Sequence, residues 1–247
     1  MTAFSEKLLD ALFPRTRCIS CGSADGVQEG VCAACRDKME RWPQQDVCAV
    51  CGRPAAGRAL CLICRQSPPA YAAARAVFLY DGPVRELIHH MKFQGEFDLP
   101  ARLFSRELAL LARRLDWPVD AVLGVPSTPH TLRKRGYNQS ELLARRTARR
   151  LGLPFLRRTL RKKRGTRSQV GLGAQQRMTN LRGSILPGRN AGKLRGKRVL
   201  LIDDIFTTGS TVQTCAQALL DCGASAVYVL CAARVADAAL SRYLASE

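Results

Sequence analysis

Two sets of residues in this 247-residue chain have the types and spacing to do chemistry. The first is Asp203-Asp204-Ile205-Phe206-Thr207-Thr208-Gly209-Ser210-Thr211, which follows the apolar run Val199-Leu200-Leu201-Ile202. Small residues at the start of a helix present several backbone N–H groups to an anion, and the helix dipole favours one there. Carboxylates would repel a phosphate held in that loop, so Asp203 and Asp204 suit hydroxyl groups or a metal carried in by the ligand. A terminal phosphate, a diol and a bound cation together describe a sugar phosphate such as 5-phosphoribosyl 1-diphosphate (PRPP). The loop is not a Walker A motif, because the stretch 188–194 is one residue short and lacks the Ser/Thr. A dinucleotide fingerprint would need more glycines than Gly209 alone.

The second set is eight cysteines in four C-x2-C pairs: Cys18 and Cys21, Cys32 and Cys35, Cys48 and Cys51, Cys61 and Cys64. Such knuckles present two sulfurs from one tight turn, and four thiolates suit a tetrahedral zinc. Eight ligands make two structural zinc sites. Sequential pairing, Cys18/21/32/35 and Cys48/51/61/64, is preferred, with interleaved pairing as the alternative. Gaps of ten and nine residues inside the two halves indicate a duplication.

The elements that must position these groups read as α/β. Residues 1–66 form a small module opening on an amphipathic helix, and Gln66-Ser67-Pro68-Pro69 is a stiff boundary before a domain at 67–247. Strands are expected at 74–80, 120–125, 198–203 and 226–232. Helices are expected from Pro83 to His90 and at 98–115, 138–151 and about 210–222. Strand–helix alternation implies a parallel sheet flanked by helices. Residues 157–198 show little periodicity and suggest mobile or ligand-ordered backbone. Cys215, Cys222 and Cys231 read as core fillers.

The net charge is +19. Residues 128–198 hold 21 basic side chains against a single acid, Glu141, so a polyanionic partner fits that segment. Arg133, Lys134, Arg135, Arg161, Lys162, Lys163, Arg164 and Arg167 are its candidates for contact with a diphosphate or a nucleic acid. Tyr137 and Phe155 are the only aromatics there, a poor basis for a stacking platform. The N-terminus has no signal-peptide pattern, and no apolar run approaches the roughly 20 residues of a membrane span. Metal-bound thiolates and the absence of a signal-peptide pattern fit a reducing cytoplasm.

Several ordered motifs together resemble the ComF competence family. They are Tyr80-Asp81-Gly82-Pro83-Val84-Arg85 with Met91-Lys92-Phe93-Gln94-Gly95, Val125-Pro126 with Arg135-Gly136-Tyr137-Asn138-Gln139-Ser140, and Asn180-Leu181-Arg182-Gly183 ahead of the acidic loop. The resemblance implies a type I phosphoribosyltransferase-like domain behind a double zinc ribbon. It implies that Asp203 and Asp204 hold ribose hydroxyls directly or through Mg²⁺, and that Thr207, Thr208, Gly209, Ser210 and Thr211 cradle the 5-phosphate. It also implies that Pro126, Ser127 and Thr128 form the diphosphate turn. Implied partners are PRPP, single-stranded DNA in natural transformation or DNA utilisation, and a competence helicase or other DNA-processing protein. A PRPP-dependent transferase with an unidentified acceptor and a PRPP-responsive regulator are the alternative activities.

Overall fold

The computed structural model describes residues 17–95, 97–163 and 183–236. The expected N-terminal helix lies outside these residues, as do Arg164 and Arg167.

Two short helices, α1 (Ala33–Asp37) and α2 (Leu62–Gln66), each close one cysteine-rich half. The central sheet is built from β1 (Ala73–Leu79), β2 (Ala121–Gly124), β5 (Arg198–Phe206) and β6 (Ala226–Arg234), all parallel, in the order β1-β6-β5-β2. Alternation decides which side chain faces which layer. Leu200 and Ile202 pack into one core cluster, while Val199 and Leu201 pack into the other. Each such buried side chain contributes roughly 2 kcal/mol.

The first layer holds α3 (Gly82–Phe93), α4 (Asp98–Leu115) and α6 (Gln139–Leu151). Asp81 caps α3, its carboxylate accepting from Gly82 N at 2.8 Å, and Pro83 sits in the first turn. Val84, Leu87, Ile88 and Met91 then fall on one face and are fully buried. Asn138 caps α6, accepting from Ser140 N and Glu141 N. The second layer holds α7 (Ser210–Asp221), which buries Val212, Cys215, Ala216 and Leu219. Cys215 and Cys231 are fully buried there, and burial pushes both thiols up, consistent with packing residues. Cys222 is only half-buried, at the end of α7.

The short helices α1 and α2 were not expected, and within residues 67–247 two further features were not legible in the sequence. One is α5 (Pro129–Arg135), a short helix capped by Thr128, whose Oγ1 accepts from Thr131 N. The other is the antiparallel pair β3 (Leu160–Lys162) and β4 (Ile185–Pro187), inside the stretch expected to lack regular structure. Strands of three residues are too short to show a period. Their apolar anchors, Leu160 and Ile185, are buried against the second layer.

The cysteine-rich half is not a free appendage. Residues 40–42 run antiparallel along the outer edge of β1, with Trp42 N donating to Val77 O at 2.9 Å and Leu79 N donating to Glu40 O at 2.8 Å. Cys18, Cys32 and Cys35 join the core cluster of the first layer, and Cys48, Cys51, Cys61 and Cys64 join that of the second. The two halves therefore straddle the sheet.

Candidate functional site

The phosphate-loop residues lie where β5 ends and α7 begins. Gly209 has φ +83° and caps the helix. A Cβ at this position would stand 2.8 Å from the tip of the Phe206 ring, so both the backbone and the space call for glycine. Thr208 Oγ1 lies 2.8 Å from Ser210 Oγ and accepts from Ser210 N, which tightens the turn. Thr207 to Thr211 are all partly exposed.

The two acids occupy different environments. Asp203 is buried, accepting from Ser140 Oγ at 2.7 Å and from Asp204 N at 3.0 Å. Desolvation, reinforced by the neighbouring Asp204 charge, pushes its carboxyl up to about 7 against the pull of those donors and of Lys92. Asp204 reaches the more open side, where Lys92 Nζ approaches its Oδ2 to 3.2 Å. Ser140 can reach Asp203 because α6 starts hard against β2. A Cβ on Gly124 would lie 2.6 Å from the Ser140 backbone. Asn138 ties the same corner down, donating from Nδ2 to Val125 O at 2.8 Å. Lys92, Asn138 and Ser140 fall inside family-like motifs, but nothing in their local sequence gave them these contacts.

Pro126 and Ser127 line a cleft of about 770 Å³ together with Arg161 and Lys162, while Thr128 caps α5 at its border. Arg145, Arg157, Arg158 and Arg189 line it too, with Glu141 as its acid. The candidate diphosphate turn and part of the candidate basic set are thus brought together. Arg133, Lys134 and Arg135 form the last turn of α5 and are not in this cleft. Lys163 follows β3, its backbone N–H donating to Ser184 O.

The eight N-terminal cysteines form two groups paired sequentially, with all four sulfurs in each group within 4.8 Å of one another. Cys21 and Cys32 sulfurs stand 3.7 Å apart, as do those of Cys51 and Cys61. A tetrahedron with Zn–S bonds of about 2.3 Å has edges of about 3.8 Å, so the donor sets fit zinc. The first and last thiols of the two groups respond alike. Burial would raise Cys18 and Cys48, but backbone N–H groups and neighbouring thiols outweigh it and hold each at about 6. Burial dominates at the last position, taking Cys35 up to about 12 and raising Cys64 further.

One buried charge connects the second cysteine group to the phosphate loop. Arg234, at the end of β6, is 1% exposed. Its Nη1 donates to Cys51 O at 2.5 Å, and its guanidinium lies 4.3 Å from the Phe206 ring centroid and 5.2 Å from that of Trp42. Trp42 in turn donates from Nε1 to Gly52 O at 2.7 Å. The strand was expected to end at residue 232, which left Arg234 out of view.

Residues 8–65 match the model of the double zinc ribbon domain, and residues 138–244 match that of the phosphoribosyl transferase domain. With the parallel sheet and the acid-then-loop turn, these define a phosphoribosyltransferase-type fold carrying a double zinc ribbon. A DNA utilization protein, YhgH, of Salmonella typhimurium is 35% identical over 83% of this chain and 90% of its own length. Competence protein F of Haemophilus influenzae is 30% identical over 86% and 94%. The chain belongs to this ComF/YhgH family. Among solved structures, a Bacillus subtilis glutamine PRPP amidotransferase aligns with 53% of this chain and 26% of its own, at 26% identity and a TM-score of 0.37. No helix among the described residues is long and apolar enough to cross a membrane.

Proposed function

We propose that this chain binds PRPP with Mg²⁺ at the carboxyl end of β5 and acts in DNA utilisation in the cytoplasm, handling single-stranded DNA. The observation that carries this reading is the glycine-pinned turn opening α7 directly after two acids, one of them paired with Lys92. In this reading Thr207 to Thr211 take the 5-phosphate and Pro126 to Thr128 take the diphosphate. Arg161 and Lys162 stand beside that turn to meet its charge. Asp204 is the acid that reaches ribose or its cation, and Asp203 holds Ser140 and the Asp204 backbone in place. Mg²⁺, when bound with PRPP, would neutralise charge between the acids and the diphosphate. Residues 1–66 act as the ribbon module and 67–247 as the PRPP domain. The relatives' names supply the DNA connection, and the basic surplus of residues 128–198 supports it.

Calorimetric titration of Mg²⁺–PRPP into the zinc-loaded protein tests this. Saturable binding is expected, abolished in Asp203→Asn/Asp204→Asn. A folded sample that gives no binding overturns the PRPP assignment. The pH dependence has a definite sign. A carboxyl raised from its ordinary value of about 3.9 to about 7 stabilises the ligand-free fold at low pH, and that contribution is lost as pH rises through about 7. A cation bound at Asp204 favours the charged form of the neighbouring Asp203, so Mg²⁺–PRPP binds more tightly as pH rises through the same range, releasing a proton that appears as a buffer-dependent heat.

A further inference from the structure

Beside the Lys92–Asp204 pair the surface carries exposed aromatic rings that the sequence spacing did not bring together. Phe93, at the end of α3, is 57% exposed, and Phe97, just before α4, is 37% exposed. The segment Arg135-Gly136-Tyr137 reaches both rings. The Arg135 guanidinium lies 4.8 Å from the Phe93 centroid, and the Tyr137 ring lies 4.4 Å from that of Phe97. Tyr137 Oη donates to Met91 O, which fixes the segment to the end of α3. His89 adds a fourth ring, 4.9 Å from Phe93. Tyr137 and Phe155 alone make a poor platform. Phe93 and Phe97, contributed from another part of the chain, change that.

We propose that Phe93 and Phe97, backed by Arg135 and Tyr137, form a stacking platform for an unpaired base of a DNA strand. The inference rests on the reading of single-stranded DNA as partner and gives that partner a place. Three observations choose this occupant. The exposed groups are flat rings, and every base has a π-face to lay on them. A guanidinium is stacked on Phe93, and Arg133 and Lys134 precede it on the exposed face of α5, so the patch is cationic as well as aromatic. Phe93 also follows Lys92, so the platform lies on the same helix end that carries the pair with Asp204. A greasy protein partner would be met by aliphatic side chains without the cations.

Two strands of equal length separate stacking from charge: oligo-dT and an abasic strand with the same phosphates. Fluorescence anisotropy across a salt series is the measurement. The parent protein is expected to bind oligo-dT about tenfold or more tightly than the abasic strand. Phe93→Ala/Phe97→Ala should remove that preference and leave the salt slope unchanged, and Phe93→Trp should keep it. Because Phe93 is largely exposed, truncation should leave the fold intact, and Mg²⁺–PRPP titration of the same variant checks this. Equal affinity for the two strands, or an alanine variant that still prefers oligo-dT, overturns the platform. So does thymidine monophosphate competing as strongly as the strand, which would mark a free-nucleotide site. Absence of binding by either strand brings down the DNA reading itself, and the platform with it, whereas salt-dependent binding of both strands alike brings down only the platform.

Discussion

The two cysteine groups are copies in their own chemistry and differ in what they lean on. Cys32 and Cys61 begin their helices with the same backbone geometry, φ −71° and ψ 161°, and the first knuckle of each group turns on a glycine with positive φ, Gly22 or Gly52. Around the first group the supports are peripheral. Arg106 bridges to Glu29 at 2.8 Å with both side chains over a third exposed, Arg41 reaches Glu107 with an exposed side chain, and Cys21 itself is exposed. Around the second group they are central. All four cysteines are buried, Val50 O accepts from Ala74 N at 2.6 Å, and Arg234 joins Cys51 to Phe206 beneath the phosphate loop. Duplication conserved the ligand geometry, while the surroundings assigned one copy to bracing the sheet and the other to supporting the site.

The largest effect expected from this contrast is in metal loss. Cys51→Ser should abolish cooperative folding, since a structural zinc contributes on the order of 10 kcal/mol, comparable to a domain's whole net stability, and here all four ligands are buried in the core of the second layer. Cys21→Ser should leave a foldable protein with one zinc. Chelator-driven release should show a fast and a slow equivalent, the fast one missing in Cys21→Ser; a single phase would erase the distinction. Next come the two arginines. Arg234→Met leaves the buried Cys51 carbonyl without this donor and should cost about 2–4 kcal/mol, with weakened PRPP binding. Arg41→Met should cost under about 1 kcal/mol. Equal melting temperatures for the two variants would break the comparison. Glycine substitution sharpens it further. Gly22→Ala meets nothing within 4 Å and carries only the positive-φ penalty of about 1–2 kcal/mol. Gly52→Ala adds a 2.6 Å clash with Ala74 O, so its loss in urea unfolding should exceed that of Gly22→Ala. The smallest effect belongs to Glu29→Gln, at most about 1 kcal/mol and vanishing in high salt.

Local signals made part of this molecule legible. The apolar run of β5, the acids and the small-residue turn are contiguous, and C-x2-C spacing carries its chemistry within four residues. Helices α3, α4 and α6 showed their helical pattern. What stayed hidden depends on long-range approach. Lys92 meets Asp204, Ser140 meets Asp203, and Phe93 meets Arg135 only because α3 and α5 end, and α6 begins, at the same corner of the sheet. Strands β3 and β4, at three residues each, have no pattern to read. Arg234 was hidden because a charged residue at a strand's end reads as the return to solvent, whereas two aromatic rings and a carbonyl make its burial tolerable.

The pairing of residues 40–42 with β1 bears on how the protein can be handled and how it could have evolved. A sheet whose outermost strand shows a row of unpaired N–H and C=O groups invites a second copy to add itself. At the opposite edge β2 is met by Phe155, with Val122 N donating to Pro154 O. At β1 the cover comes from the link between the ribbons. A fragment cut at residue 66 would bare that edge and be prone to assemble edge to edge. The link between the ribbons thereby occupies the edge that another copy would otherwise pair with, and losing it would leave that edge open to an added strand.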